Sequence, residues 1–226
     1  MERHFDEELR ELKEKLLQMA SLAEESIAKA VKALVERDKK LAQNVIDSDE
    51  EINMLEIEID EICLKLLALR QPIAKDLRLI ASALKINSDL ERIGDLSVNI
   101  AERTLPLLEE PLLKPLIDIP RMAELAQKMV KDSLDAFVNQ DAELARSVCR
   151  RDDEVDQLNH QIFRELLTYM FQDPKNINRA VGLILIGRHL ERIADHATNI
   201  GEDVFYMVQG RTIKHHIEEK NAKEKK

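Results

Sequence analysis

Tryptophan is absent from this chain, and phenylalanine, tyrosine, glycine and proline are all scarce. That composition starves a β-sheet of its usual valine, tyrosine, phenylalanine and threonine and favours long helices. Positive charge is also deficient. The formal net charge is −10 at pH 7, whereas a protein that grips a phosphate backbone needs a basic surface, and an anionic lipid surface makes the same demand. Nucleic acid is therefore not an expected partner. Long apolar runs are missing as well. The longest, Val181 to Ile186, is far too short to span a bilayer, so no membrane insertion is expected. Met1 to Ala20 is heavily charged, unlike the apolar centre of a secretion signal. Two cysteines, Cys63 and Cys149, read as buried or half-buried thiols in a reducing cytoplasm.

What the sequence does have is an internal duplication. Met19-Ala20-Ser21-Leu22-Ala23 returns as Met122-Ala123-Glu124-Leu125-Ala126, an offset of 103 residues (122 − 19). Without a gap, Ala33, Asp38, Leu41, Val45, Asp49 and Leu55 return as Ala136, Asp141, Leu144, Val148, Asp152 and Leu158. Leu90-Glu91-Arg92-Ile93 returns as Leu190-Glu191-Arg192-Ile193, where the offset has fallen to 100 (190 − 90). A period this long is not that of a solenoid unit, so each copy is expected to be a whole helical bundle.

Each copy reads as three helices. Leu9, Leu12, Leu16, Met19, Ala23 and Ile27 keep helical spacing in the first. Asp38 and Asp141 are placed to cap a second helix, and Gln71-Pro72 and Asp173-Pro174 to end it. A third runs from about Ile73 to Leu105, and from about Lys175 to Val208 in the second copy. Pro106, Pro111, Pro115 and Pro120 cluster between the copies. The expected fold is all-α, two tandem homologous three-helix bundles, with one bundle over residues 1–110, a second over 111–210, and a polar tail over 211–226.

The third helices carry the candidate chemistry. At about 100 degrees per residue, Glu91, Asp95 and Glu102 share one narrow stripe with Asn99 at its edge, and Glu191, Asp195, Asn199 and Glu202 repeat it. Ile86, Leu90, Ile93, Ser97 and Ile100 mark a separate core face. On the second helix, Asp49, Asn53, Glu56 and Asp60 are spaced i, i+4, i+7, i+11, with Asp152, Asp156, Asn159 and Phe163 as counterparts. Antiparallel packing of these helices would set the two stripes side by side. Carboxylates so held repel unless a cation or proton lies between them, and hard oxygen donors suit magnesium, manganese, calcium or iron. One acidic stripe is ordinarily a solvated face; its recurrence in both copies favours a site. A Gly-rich phosphate loop and a serine nucleophile elbow are both missing.

At these residues the chain resembles the PhoU family. Glu91-Arg92-Ile93-Gly94-Asp95 and Glu191-Arg192-Ile193-Ala194-Asp195-His196-Ala197-Thr198-Asn199-Ile200 are similar to its two signature stretches. Leu69-Arg70-Gln71-Pro72, Lys75-Asp76-Leu77-Arg78, Asp152-Asp153-Glu154-Val155-Asp156 and Glu202-Asp203-Val204-Phe205-Tyr206 extend the likeness over nearly the whole chain. The resemblance implies a PhoU-like pair of bundles forming a homodimer. It implies a cytoplasmic, non-enzymatic negative regulator of phosphate uptake and phosphate-starvation signalling, with the Pst phosphate transporter's ATPase and the sensor histidine kinase of the phosphate regulon as partners. It also implies surface metal sites, with iron, manganese, magnesium or zinc as candidate ions. These fall on Glu91 with Asp95, Glu191 with Asp195, and Asp152 with Asp156, and more weakly on Asp49 with the neutral Asn53. The rival reading is a metal-binding protein or metal-dependent enzyme built on the same stripes.

Overall fold

A computed structural model describes residues 2–213; the polar tail over 211–226 lies mostly outside them. Among the described residues there are seven α-helices and one short 3-10 turn, and no strand. The first repeat comprises α1 (Glu2–Glu36), α2 (Lys39–Asp47), α3 (Asp49–Arg70) and α4 (Ala74–Leu108). The second comprises α5 (Asp118–Asn139), α6 (Ala142–Gln172), the 3-10 turn Pro174–Asn176, and α7 (Ile177–Gln209).

Both repeats make their first corner by the same device. Arg37 and Gln140 adopt left-handed backbone (φ 57° and 53°), and the next amide, of Asp38 or Asp141, donates back to Ala33 O or Ala136 O at 2.9 Å. That bond satisfies a carbonyl the ending helix would otherwise leave open. The two aspartates then cap the following helix, their carboxylates accepting from Lys40 N and Leu41 N, and from Glu143 N and Leu144 N.

The expected second helix of the first repeat is in fact two. It breaks at Ser48, whose hydroxyl donates to Val45 O instead of capping α3. The charge order explains the break. Asp47 sits at the carboxyl end of α2, where the helix dipole disfavours an acid, while Asp49, Glu50 and Glu51 are favoured at the start of a new helix. At the corresponding place the second repeat has Arg150-Arg151 before Asp152, and α6 runs through without interruption.

The core is continuous across both repeats. Ile86, Leu90, Ile93, Ser97 and Ile100 are fully buried on α4, as the expected core face requires. The third helices α4 and α7 cross antiparallel. Arg78 donates to Met207 O, Ser82 Oγ to Asp203 O, and Asp89 meets His196 at 2.7 Å. On the opposite side Gln127 donates to Glu24 O, joining two residues that are each other's counterparts at the 103-residue offset. The repeats are thus related by an approximate twofold axis. The segment between them is held from both sides. Arg37 donates to Leu108 O at 2.6 Å and Glu110 O at 2.7 Å, and Arg179 to Pro111 O at 3.0 Å. Pro106 lies within α4's last turn rather than beyond the helix.

Candidate functional site

Two acidic grooves run along the surface, one between α3 and α4 and one between α6 and α7. They are positioned by helix packing, and glycine sets how closely each pair approaches. In the first repeat, a Cβ on Gly94 would lie 3.0 Å from Ile52 Cδ1 and 3.4 Å from the Asp49 carboxylate. The second repeat reaches the same fit with the methyl group on the other side of the contact: Val155 replaces Ile52 and Ala194 replaces Gly94, both fully buried. Further along α7, Gly201 meets α6 so closely that a Cβ would come within 2.9 Å of Ala145 O.

In the first groove, burial raises the Asp49 carboxyl above its ordinary range; Asn53, donating to it at 2.9 Å, partly offsets this, and Asp95 adds to it. Burial and the Asp95 charge likewise raise Glu91, and burial with Asp60 raises Glu56. An internal cation relieves the set. Arg92 lies 2.8 Å from the Asp95 carboxylate and 3.3 Å from that of Glu91.

In the second groove the mutual repulsion is stronger. Burial, then the charges of Asp195, Asp156, Asp153 and Glu191, push the Asp152 carboxyl up to about 6. Glu191 is raised by burial, Asp156 and Asp195, with Arg188 and a hydrogen bond from Asn159 acting against them. Asp195 is raised by burial and Asp156, and lowered by His196 and Arg192. Burial also pushes the nearby Cys149 thiol up to about 11, with Glu202 as its leading charged neighbour.

The structure therefore brings Asp49, Asn53, Glu91 and Asp95 together in one place, and Asp152, Asp156, Glu191 and Asp195 in another. It does not bring all the stripe residues with them. Glu102 is exposed, and Glu202 lies down the groove beside Cys149. Asn99 is half-buried, while Asn199 turns across the repeat boundary to donate to Asp89. Glu56 and Asn159 join the grooves from the i+7 positions of the second-helix stripe, where the spacing already places them. The neutralising role of Arg92 was missed, although the residue sits inside the Glu-Arg-Ile-Gly-Asp stretch.

The donor chemistry, carboxylates with amide oxygens, fits a hard cation. As the side chains stand, no three His, Cys, Asp or Glu residues converge on one ion-sized point among the described residues. Holding an ion would require carboxylates to turn inward. Among the same residues, no helix is long and apolar enough to cross a membrane.

A family profile described as "PhoU domain" matches residues 16–104 and again 119–204. A phosphate-specific transport system accessory protein PhoU homolog from Aquifex aeolicus is 49% identical over 94% of this chain and 97% of its own length. The homolog of the same name from Pseudomonas putida is 45% identical over 93% and 83%. The crystal structure of PhoU from Pseudomonas aeruginosa superimposes with a TM-score of 0.88 at 45% identity, covering 92% of this chain and 100% of that one. The phosphate transport system regulatory protein PhoU from Streptococcus pneumoniae gives 0.86 at 34% identity. With both repeats matched by one profile and the tandem arrangement shared with solved relatives, this chain belongs to the PhoU family.

Proposed function

We propose that this protein is a cytoplasmic accessory regulator of phosphate uptake. It restrains transport and phosphate-starvation signalling by contact with the transporter's ATPase and with the sensor histidine kinase. The observation that carries this reading is the near end-to-end match with relatives named as accessory proteins of the phosphate-specific transport system. The acidic surface and the lack of an apolar spanning helix among the described residues agree with a role beside a transporter rather than as one. Deletion of the gene should release phosphate-starvation genes while phosphate is plentiful, read as phosphatase activity. Affinity capture from phosphate-replete cells should recover the ATPase or the kinase. Unchanged phosphatase together with recovery of neither partner would overturn the role.

A second reading, compatible with the first, has the two grooves bind hard metal ions in a homodimeric protein. It is favoured by the raised carboxyls of the second groove, since a bound cation would offset the burial and the repulsion that together hold Asp152 near 6. Asp152, Asp156, Glu191 and Asp195 would hold the ion there, and Asp49, Asn53, Glu91 and Asp95 would hold it more weakly in the first. Metal analysis after loading with iron, manganese, magnesium or zinc should find less metal in the Glu191→Ala/Asp195→Ala variant, with the helical circular dichroism unchanged. A wild-type protein that takes up no metal would remove this reading.

A further inference from the structure

The outward face of α3 is more apolar than a solvent-facing helix requires. Met54, Ile57 and Leu64 lie along one side of it, 52%, 53% and 61% exposed. Their spacing of i, i+3 and i+10 keeps them within about a quarter of the helix circumference. At the tip of the repeat Leu69 and Ile73 are also exposed, 66% and 77%, but Leu69 lies off the side that carries the row. From Met54 to Leu64 the row runs about 15 Å at 1.5 Å per residue, the length of a helix of about 10 residues. Single exposed apolar side chains are ordinary, so the second repeat is the useful control. At the offset of 103, Gln157 and His160 stand where Met54 and Ile57 do, Leu167 stands where Leu64 does, and Arg164 stands in place of Glu61. The same bundle therefore folds with polar residues at two of the row's three positions, and the fold does not demand apolar ones there.

The charges around the apolar row are mostly negative, with Lys65 as the cation on its edge. Glu50 and Glu61 lie among its residues and Glu51 and Glu58 along its edge, where a groove of about 600 Å³ opens between α3 and α1. The neighbouring cations are already taken up: Lys15 meets Glu58 at 2.6 Å, and Lys65 meets Glu8 at 3.7 Å. We propose that the outer face of α3, through Met54, Ile57 and Leu64, is a docking surface for a cationic amphipathic helix of a different protein. Apolar residues at i, i+3 and i+4 of the partner would cover the row, and its lysines or arginines would meet the glutamates. A second copy of this chain is the wrong occupant, because like faces brought together would oppose glutamate to glutamate.

The inference rests on the reading of this protein as one that acts by contact, but its test is separate. A fluorescent peptide of about 18 residues, made of leucine and lysine at helical spacing, is titrated with the full chain and followed by anisotropy. A leucine–glutamate peptide of the same pattern is the comparison. The basic peptide should bind saturably and weaken as salt rises, and the acidic one should not bind. Met54→Ser/Ile57→Ser/Leu64→Ser should weaken binding about tenfold or more, whereas Gln157→Ala/His160→Ala should leave it unchanged. Glu50→Lys/Glu61→Lys should transfer the preference to the acidic peptide. Equal binding by wild type and the triple serine variant would overturn the proposal. So would a wild-type dimer in sedimentation that the triple variant loses, since a second copy would then be the occupant. Derepression on gene deletion, with no peptide bound at this face, would leave the regulatory role standing and remove the surface.

Discussion

The two grooves are built on one plan and differ in how they manage negative charge. In the first repeat, Arg92 lies against both Glu91 and Asp95, and the neutral Asn53 donates to Asp49. In the second, an aspartate stands in place of that asparagine, and Asp152 is pushed up to about 6. The helix break follows the same division. Acid-rich Asp47-Ser48-Asp49 ends one helix and starts another, while Arg150-Arg151-Asp152 continues a single helix. The core faces match closely between the repeats, and so does the third-helix stripe of Glu91, Asp95, Asn99 and Glu102, while the second-helix positions beside it have drifted apart. Duplication has thus kept the packing and allowed the electrostatics to diverge.

The sharpest way to test that division is where the second repeat packs more tightly. Ala101 occupies in the first repeat the place Gly201 holds in the second, and both are fully buried. Gly201→Ala drives a methyl toward Ala145 O, and overpacking of this kind should cost about 1–3 kcal/mol. Ala101→Gly should cost about 1 kcal/mol, the ordinary penalty of glycine in a helix. Urea unfolding of both variants reads the difference, and equal losses would mean that the close approach of α6 and α7 is not a constraint.

The corners should behave alike. Asp38→Ala and Asp141→Ala each remove a carboxylate that accepts two backbone amides, and each should cost about 1 kcal/mol. A large inequality would show that the α2–α3 break makes the first corner depend on its cap in a way the second does not.

The charge difference predicts a pH effect that is larger in the second repeat. Asp152 has a folded value of about 6 against an ordinary 3.8. The folded state therefore binds the proton more tightly than the unfolded one. Its contribution to stability is fully present below about pH 4 and is lost as pH rises through about 6. Asp152→Asn, melted in the presence of a chelator, should exceed wild type by a few degrees at pH 7. The advantage should vanish near pH 4. Asp49→Asn, beside an asparagine already, should gain less.

The smallest effect concerns the relocated methyl group. Gly94→Ala crowds Ile52, and Ile52→Val leaves a gap, each costing about 1 kcal/mol. The double variant reproduces the Val155–Ala194 pair and should recover about half or more of the summed loss. Strict additivity would show that the two contacts are not equivalent.

The repeat offset and helical spacing are enough to read the all-α tandem arrangement. They also place Asp38 and Asp141 as caps, because that signal is local. The break at Ser48 escapes them, since Leu41, Val45, Ile52 and Leu55 keep an apolar spacing on both sides of it. The clue lay in the charges on either side of Ser48, and only comparison with Arg150-Arg151 makes it visible. On the candidate site, angular position on a single helix finds Glu91, Asp95, Glu191 and Asp195. It cannot find what becomes of Asn199, whose partner Asp89 arrives from the other repeat. Whatever is decided by the crossing of α4 and α7 is invisible to periodicity within either helix.

That crossing has a genetic consequence. Had the interface joined two identical repeats, every polar contact in it would occur twice, once on each side of the axis. Within a single chain it need occur only once, and Lys85 with Asp203 is such a pair: across the axis, their counterparts are Leu185 and Arg103. The halves are no longer interchangeable. A tandem of two first repeats would set Lys85 against Arg103, cation against cation. A tandem of two second repeats would set Leu185 against Asp203 and deprive a buried carboxylate of its lysine. Once fused, each gene half became the template for only one side of its own interface, and neither can now stand in for the other.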